Sequence, residues 1–329
     1  MRTRASPSMR ILAISDIHYA SPAEQQRVGY ELATVSSRWR RMLLRAYRHA
    51  IWLRDPFAHN SLLEWFVAQA GDAELVVANG DYSCDSAFVG VSDDAAAQSA
   101  ALCLGRLRER FGPAFKAVIG DHELGKTSLA GNQGGMRLAS WRRATTELGL
   151  SPCWRVDLGP WVVLGVTSSL LALPVLAPEI PAGDRAAWEQ LREDHCREIS
   201  GQLETLAPDR RLLFFLHDPT ALPYLADLPP MRTRLAQVAA TVIGHLHSPL
   251  ILWKSRLLAG LPPIRRLGHA VRRMSQALNQ ARAWRPFNVH LCPSLAGLEL
   301  LKDGGYLELG LSDDGRGAPV VRRRRVPRA

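Results

Sequence analysis

Six short apolar runs recur along the chain and constrain its fold more than any other feature. They lie at 11–15, 74–79, 116–120, 161–166, 211–216 and 240–244, and helical patterns such as 61–70, 95–111 and 186–206 lie between them. Continuous apolar runs of this length are typical of strands that are buried on both faces. Their alternation with helices predicts an α/β protein whose sheet is covered by helices.

The last third of the chain has a different pattern. Runs at 287–292, 305–311 and 319–325 resemble strands joined by turns. We interpret them as a second, antiparallel sheet. The chain has no internal repeat, and its prolines lie in expected loops and not in domain linkers. We therefore predict one domain over 9–325, with tails at 1–8 and 326–329.

Five of the six apolar runs end in aspartate or histidine, usually beside a glycine. The residues at these ends are Asp16, His18, Asp81, Asp121, His122, Glu123, His217, His245 and His247. In open α/β sheets, sites form outside the carboxyl ends of the strands, so we expect these side chains to converge. In Asp16-x-His18 and His245-x-His247, alternate residues of an extended chain face the same way, so each pair can present two ligands to one cluster.

Carboxylates and imidazoles gathered at such a place repel one another or lack partners unless a cation binds between them. Three carboxylates with four or five imidazoles exceed what one ion needs. Two divalent ions about 3.5–4 Å apart, bridged by a shared carboxylate, would use them all. The sequence therefore predicts a binuclear metal centre.

In this order, the motifs resemble those of the calcineurin-like metallophosphoesterase family. The family pattern is D-x-H, G-D, G-N-H-[D/E], H and G-H-x-H, and the resemblance spans roughly residues 10–250. It implies an α/β fold in which a sandwich of two mixed β-sheets is flanked by α-helices, to which we expect this chain to add a helical cap insertion. It also implies a hydrolase that acts on phosphoester or pyrophosphate bonds.

The resemblance gives a role to each matching residue. The implied metal ligands are Asp16, His18 and His247 for one ion, Asp121, His217 and His245 for the other, and Asp81 as the bridge between them. His122 is the implied catalytic residue beside the leaving-group oxygen, and Glu123 is expected to support it. A metal-bridging hydroxide would attack phosphorus in line, without a covalent enzyme intermediate. Mn²⁺ is the expected metal, with Fe, Zn or Mg as alternatives.

Position 121 departs from the family pattern, which has asparagine there. Asp121 can ligate from nearly the same place, but it adds a negative charge. We therefore expect tighter metal binding and a less electrophilic site. A changed metal preference, a higher pKa of the bridging water and a lower rate are consistent with that added charge.

The net charge of +10 is concentrated in a few segments. Between Asp227 and Glu299 there are ten basic residues and no acidic one. The pattern predicts two basic amphipathic helical segments, at 28–60 and at 250–286. The second directly follows the GHLHS motif, so we expect it to form a cap over the metal site. The alternative is that both helices cover the core and expose their arginines to water.

Tryptophan, leucine and arginine on one helix suit a membrane interface. We therefore expect an anionic phosphoester substrate that is lipid-linked or a nucleotide-lipid, as for the family's UDP-diacylglucosamine hydrolases, and peripheral contact with an anionic membrane. One alternative is a phosphodiesterase or nuclease that acts on nucleic acid. The other is a non-catalytic scaffold with the same fold. The sequence leaves open the substrate-binding residues, the oligomeric state and the choice among monoester, diester and pyrophosphate.

The expected location is the cytoplasm, with a peripheral position at the inner face of the membrane. The five cysteines are scattered and odd in number, which is typical of reduced thiols. No segment approaches about eighteen uninterrupted apolar residues, so we expect no transmembrane helix. The first ten residues lack a long apolar core and a small-residue cleavage site, so we expect no signal peptide.

Overall fold

The computed structural model describes residues 9–27, 29–84, 86–128, 133–247, 252–253, 260, 279–301 and 303–327. The strands in these ranges are β1 (Met9–Ile14), β2 (Leu75–Ala78), β3 (Phe115–Ala117), β4 (Cys153–Leu158), β5 (Trp161–Val166), β6 (Arg211–Leu216), β7 (Val238–Ile243), β8 (Val289–Leu291), β9 (Gly305–Leu311) and β10 (Val320–Arg325). They form two five-stranded sheets, with the orders β10-β9-β1-β2-β3 and β4-β5-β6-β7-β8.

Both sheets are mixed, and each has a parallel centre. In the first sheet β1, β2 and β3 run parallel, with Ile11 opposite Leu75, while β9 and β10 add antiparallel strands at one edge. In the second sheet β5 to β8 run parallel, with Val163 opposite Leu213, and β4 is antiparallel to β5. The parallel strands of a sheet end at the same edge, which is where the predicted site residues follow.

The α-helices of the described residues are α1 (Pro22–Gln25), α2 (Tyr30–Ala33), α3 (Arg38–Ala50), α4 (Asn60–Gln69), α5 (Asp94–Phe111), α6 (Asp121–Leu124), α7 (Leu138–Thr146), α8 (Ser168–Leu171), α9 (Leu173–Leu176), α10 (Arg185–Glu204), α11 (Leu222–Ala226) and α12 (Pro229–Arg234). Short 3₁₀ helices lie at Gly90–Ser92, Gly112–Ala114, Ala177–Glu179, Ala182–Asp184, Pro219–Ala221, Leu235–Gln237 and Ala281–Phe287.

The core has three layers because side chains of a strand alternate between its two faces. Ile11 and Ala13 of β1 face the second sheet and pack in one cluster with Val163 and Phe215. Leu12 and Ile14 face the other way, into a cluster that includes residues of α4, α5 and α7. The outer face of the second sheet packs against α10, α11 and α12. The predicted sandwich of two mixed sheets flanked by helices is therefore confirmed.

The prediction of a separate antiparallel sheet from the C-terminal runs is wrong. The strands β9 and β10 join the first sheet, where Leu309 lies opposite Ile11, and β8 runs parallel to β7 in the second sheet. Without β9, one edge of β1 would present backbone N–H and C=O groups that lack hydrogen bonds, and pairing with β9 supplies these bonds. The chain also remains packed beyond the predicted end at 325, because Val326 is buried and its amide donates to Gly304 O.

The two basic segments are described to different extents. Helix α3 lies within the predicted segment at 28–60, and Ser37 caps its N-terminus by accepting a hydrogen bond from the Arg40 amide. Most of the predicted cap at 250–286 lies outside the described residues. Its described part includes the 3₁₀ helix at Ala281–Phe287. Within the described part of the chain, no helix combines the length and the apolar character needed to span a bilayer.

Candidate metal centre

The two sheets bring the predicted site residues together at one end of the sandwich. Three strands of the first sheet and two of the second each precede part of the site. Asp16 and His18 follow β1, Asp81 follows β2, Asp121 follows β3, His217 follows β6, and His245 and His247 follow β7. Six of the seven side chains are at most 6% exposed, and His245 is 20% exposed.

Potential ligand atoms of these residues fall into two groups. In each group, the atoms lie within 4.8 Å of one another: Asp81, Asp121, His217 and His245 form the first group, and Asp16, His18 and His247 form the second. The two groups contain the same residues as the two ligand sets of the sequence analysis, and their assignment to ions stays a prediction. The bridging position of Asp81 stays a prediction, because its carboxylate belongs to the first group only.

Imidazole nitrogens face carboxylate oxygens in both groups. His217 Nε2 lies 3.1 Å from Asp81 Oδ2 and 3.4 Å from Asp121 Oδ1, and His245 Nδ1 lies 3.6 Å from the same Asp121 oxygen. In the second group, His247 Nε2 lies 3.2 Å from Asp16 Oδ1. Borderline nitrogen donors and hard oxygen donors are the ligands that Mn²⁺, Fe and Zn accept.

Backbone carbonyls hold the histidine rings in a ligating orientation. His217 Nδ1 donates to Asn79 O at 2.8 Å, which directs Nε2 towards the carboxylates of Asp81 and Asp121. His18 Nδ1 lies 3.4 Å from Ser83 O. Because a carbonyl can only accept, each contact places a proton on Nδ1, so that the neutral form of either ring has a free Nε2. Such outer contacts are usual around histidines that bind metals.

Buried carboxylate oxygens provide a direct test of whether a cation fits. Among the described residues, no hydrogen-bond donor of suitable geometry reaches Asp16 Oδ1 or Asp81 Oδ2, although both atoms are inaccessible to water. The nearest groups to these oxygens are the histidine nitrogens of the same cluster. A buried charge without a partner is costly. The donor set therefore fits two divalent ions.

The histidines divide into neutral and charged forms. Burial lowers the pKa of His18 and of His247 well below the usual value, so both rings are neutral, which is the form that binds metals. Burial also opposes a charge on His217, but Asp81 and Asp121 raise the pKa of that ring well above its usual value. In the chain without ions, the proton on His217 thus supplies positive charge between the two carboxylates.

The carboxylates respond to the same neighbours. Burial disfavours ionisation of Asp81, yet His122 and His217 hold its pKa far below the usual range. Burial likewise opposes ionisation of Asp121, whose pKa is lowered by Lys126 and His245. Burial raises the pKa of Asp16, and His217 offsets only part of this effect. The two carboxylates of the first group are therefore ionised and concentrate negative charge there.

Five of the seven candidate ligands have a left-handed backbone conformation. Their φ angles are 50° at Asp16, 52° at His18, 61° at Asp81, 56° at His245 and 55° at His247. Each such residue costs on the order of 1–3 kcal/mol and persists only where the surroundings impose it. Hydrogen bonds from the amides of Asp16 and His18 to the carbonyls of Gly80 and Asp81 help to impose it.

Gly80 shows why these loops require glycine. Its φ of 95° is unfavourable for other residues, and a Cβ at this position would lie 2.7 Å from His217 Nδ1 and 2.8 Å from Gly120 Cα. The glycine therefore permits close approach of the β2 and β3 loops to His217.

His122 lies at the rim of the two groups, in the first turn of α6. Its Nε2 is 3.5 Å from Asp81 Oδ2, and its ring centroid is 4.8 Å from that of His18. Its Nδ1 lies 3.2 Å from Ser83 O, the same carbonyl that contacts His18, which favours a proton on Nδ1. The ring is thus adjacent to both groups, as a residue acting beside the leaving group requires, and its catalytic role stays a prediction.

Glu123 holds the loops together. Its carboxylate accepts hydrogen bonds from the amides of Gly120 at 2.8 Å, Asp81 at 3.0 Å and Tyr82 at 2.8 Å. Burial, with the charge of Asp81, raises the pKa of Glu123 to about 7. Glu123 therefore supports the backbone of the loops, and its expected support of His122 stays a prediction.

Two further residues at the site were not found by sequence analysis. Lys126 Nζ contacts His122 Nε2 from one turn further along the chain, and Trp52 packs on His247 with 4.6 Å between ring centroids. The four-residue spacing to His122 was the only local signal for Lys126. Asp218 is also near the site, with its Oδ2 3.8 Å from His245 Nε2.

Comparison with known proteins gives structural similarity only. No protein-family model and no curated protein matches the chain. A dimetal phosphatase from Danio rerio is 13% identical, with 96% of this chain and 98% of that chain covered and a TM-score of 0.45.

Phosphopantetheinyl hydrolase (PptH) from Mycobacterium tuberculosis is 14% identical, with 74% of this chain and 85% of that chain covered and a TM-score of 0.37. A metallophosphoesterase from Sphaerobacter thermophilus is 13% identical, with 97% and 89% covered and a TM-score of 0.34. These similarities are too low to assign an activity, so the conclusions about this chain rest on its own residues.

Proposed function

We propose that this chain is a binuclear metal-dependent hydrolase of phosphoester or pyrophosphate bonds. The observation that carries the proposal is the presence of two buried aspartate–histidine groups, each built from residues of both sheets, in which the ligand atoms lie within 4.8 Å of one another. A structural zinc site would need one closed set of four ligands. Two adjacent groups with His122 at their rim suit catalysis instead.

The chain's own residues divide the work of such a reaction. Two divalent ions, when bound, would supply Lewis acidity towards phosphoryl oxygens and towards water. The left-handed loops and the carbonyl contacts of His18 and His217 would hold the ligands in place for them. A proton carried by His122 Nε2 would be donated to the leaving oxygen, since Nδ1 donates to Ser83 O. Lys126, in contact with the same nitrogen, would add positive charge beside the substrate phosphate.

The surface near the site supports a lipid-linked substrate presented at an anionic membrane. Helix α3 exposes Trp39 by 62%, Met42 by 51% and Leu43 by 50%. Leu300, which is 60% exposed, adjoins the end of this helix because its amide donates to Ile51 O. Exposed arginines on the same helix are Arg38, Arg40, Arg41 and Arg45. Apolar side chains among arginines suit the interface of an anionic bilayer.

The exposed side chains of α3 and Leu300 also distinguish a membrane from nucleic acid as the binding partner. A nuclease needs arginines and stacked aromatic rings along a groove, and exposed aliphatic side chains add little to that binding. Met42, Leu43 and Leu300 therefore favour the membrane over nucleic acid. A non-catalytic scaffold would share the fold and the metal ions, so turnover must separate it from an enzyme.

The test is hydrolysis of bis-p-nitrophenyl phosphate by EDTA-treated protein, with and without Mn²⁺. We expect turnover that requires Mn²⁺ and that falls on the order of 10²–10⁴-fold in His122→Ala, the usual contribution of a general acid. Metal content, measured by plasma mass spectrometry, should stay unchanged in that variant. His59→Ala is a matched control, because His59 is a half-buried histidine outside both groups.

Two results would contradict the proposal. The first result is that wild-type protein binds two ions per chain but hydrolyses neither this diester nor lipid pyrophosphates. It would support the alternative of a non-catalytic scaffold. Equal turnover in His122→Ala and wild type would remove His122 from the chemistry.

A further inference from the structure

A cavity of about 590 Å³ lies beside the candidate metal centre. It is enclosed by α2, the second half of α3 and the turn at 54–57, and its lining includes Tyr30, Leu32, Arg45, His49 and Phe57. Pockets that bind small organic molecules are typically about 300–1,000 Å³. The cavity is therefore large enough for a substantial part of a substrate.

The cavity adjoins the metal groups directly. Tyr30, Arg48 and Pro56 line it, and they also line a narrow space of about 30 Å³ in front of His122 and His247. The cavity and the metal groups are therefore separated only by the thickness of these shared side chains, which is a short distance for a substrate with two phosphates. No motif in the sequence indicated this arrangement.

The charged side chains of the lining leave an excess of positive charge. The lining contains the cations Arg45, Arg48 and Arg54 and the anions Glu31 and Asp55, and buried Glu31 is bound to Arg48. Arg45 and His49 lie one helical turn apart on α3 and are exposed. Residues at this spacing share a helix face, so both can reach one bound anion.

The opposite part of the lining is apolar. The rings of Tyr30 and Phe57 lie 5.5 Å apart between centroids, and Leu32 and Pro56 complete this wall. A ligand that satisfies both parts has a phosphate attached to an aromatic or aliphatic group.

We infer that this cavity binds a second phosphate of the substrate together with the apolar or aromatic group that carries it, while the scissile phosphate lies at the metal groups. The inference rests on the proposed function and names the substrate class of that same site. The phosphate could belong to a nucleotide or to a lipid, which share this chemistry. Arg45 and His49 would bind the phosphate, and Tyr30 and Phe57 would contact its carrier.

The test is calorimetric titration of the full chain in EDTA with phenyl phosphate and with inorganic phosphate, so that binding is measured without turnover. We expect phenyl phosphate to bind more tightly than inorganic phosphate because of the apolar wall. Arg45→Gln combined with His49→Gln should weaken phenyl phosphate binding about tenfold, because the charge-assisted contact of Arg45 and the ring N–H donor of His49 are both lost. Arg40→Gln, on the same helix but outside the lining, should change it less than about twofold.

Comparison of ADP with octyl phosphate then distinguishes the two sources. If ADP binds more tightly than octyl phosphate and the double variant loses this binding, the substrate carries a nucleotide. If octyl phosphate binds more tightly and the double variant loses that binding, the substrate carries a lipid phosphate. Equal weakening in the double variant and in Arg40→Gln would overturn the inference, and so would undetectable binding of all four compounds. Because these titrations contain no metal, they can fail while Mn²⁺-dependent hydrolysis succeeds, and the reverse also holds.

Discussion

At the scale of single residues, Asp121 sets the charge of one metal group. Its Oδ1 lies 3.4 Å from His217 Nε2 and 3.6 Å from His245 Nδ1, so it occupies a ligand position. With Asp81, it gives that group two carboxylates. We predict that Asp121→Asn weakens the affinity for one Mn²⁺ ion by about 10–100-fold or more. Losses of this size are usual when a group that only hydrogen-bonds to a metal ligand is removed, and Asp121 is itself a candidate ligand. We also predict faster turnover at saturating Mn²⁺, because the amide leaves the ion more electrophilic.

Equilibrium dialysis against Mn²⁺, followed by kinetics at saturation, measures both effects of Asp121→Asn. Asp218→Asn is the control, since Asp218 lies 3.8 Å from His245 but outside the ligand group. Unchanged Mn²⁺ affinity in Asp121→Asn would mean that the carboxylate at 121 does not bind the ion.

Glu24 gives the folded chain a pH dependence that is separate from the metal groups. Burial raises the pKa of Glu24 from 4.5 to about 7, although Ser86 and the Cys84 amide donate to its carboxylate. The folded pKa exceeds the unfolded one, so the folded state binds the extra proton between these values. The free energy of unfolding contributed by Glu24 is therefore highest at low pH and decreases as the pH rises through 7.

We predict that Glu24→Gln removes this dependence. Between pH 5 and pH 8, its free energy of unfolding should rise relative to wild type by roughly 2–3 kcal/mol, at about 1.4 kcal/mol per unit of pKa difference. Urea denaturation at pH 5, 6, 7 and 8 measures the change. Glu109→Gln, an exposed glutamate, should run parallel to wild type at every pH. A constant difference between Glu24→Gln and wild type would show that Glu24 ionises as in the unfolded chain.

The residues of the candidate site were largely accessible to sequence analysis because each follows an apolar run. Their backbone strain was not, since the left-handed conformations of Asp16 and His245 depend on loops from other strands. Lys126 and Trp52 were missed for a related reason. Their contacts with His122 and His247 exist only once distant segments pack together.

At the scale of helices and strands, burial decided which elements the sequence predicted. Strands such as β5 and β6 were predicted because both faces are buried and their residues are almost all apolar. β4 was missed because Arg155 and Asp157 interrupt its apolar pattern and pair with each other at its surface. The location of β9 was misjudged because pairing with β1 joins residues almost 300 positions apart, and no local pattern encodes such a partner.

Helix α3 provides a prediction at this scale. Trp39→Ser combined with Leu43→Ser should reduce binding to phosphatidylglycerol vesicles by tenfold or more, because burial of each large apolar side chain contributes about 1.5–3 kcal/mol. Turnover of bis-p-nitrophenyl phosphate should not change. Leu102→Ser on α5, where Leu102 is 41% exposed, is the control for loss of exposed apolar surface. Vesicle co-sedimentation measures binding, and equal loss in both variants would contradict a membrane contact through α3.

At the scale of the whole molecule, the candidate metal centre lies between the two sheets. Asp16, Asp81 and Asp121 come from the first sheet, and His217 comes from the second, as do His245 and His247. Asn79 already links the layers, because its side-chain amide at the end of β2 donates to Leu216 O at 3.0 Å. Ions bound by both groups would therefore connect the two halves of the sandwich.

This arrangement makes metal binding a part of the stability of the fold. The unfolded chain cannot bring residues of the two sheets together, so Mn²⁺ should bind the folded state alone. At about 100 times the dissociation constant, one ion then adds about 2.7 kcal/mol to the free energy of unfolding. We predict that EDTA lowers the melting temperature in scanning calorimetry and that Mn²⁺ restores it. Asp81→Asn combined with His217→Gln, one residue from each sheet, should respond much less to Mn²⁺. If EDTA leaves the melting temperature of wild-type protein unchanged, the aspartates and histidines do not hold ions across the sheets, because an ion bound there must stabilise the chain that brings its ligands together.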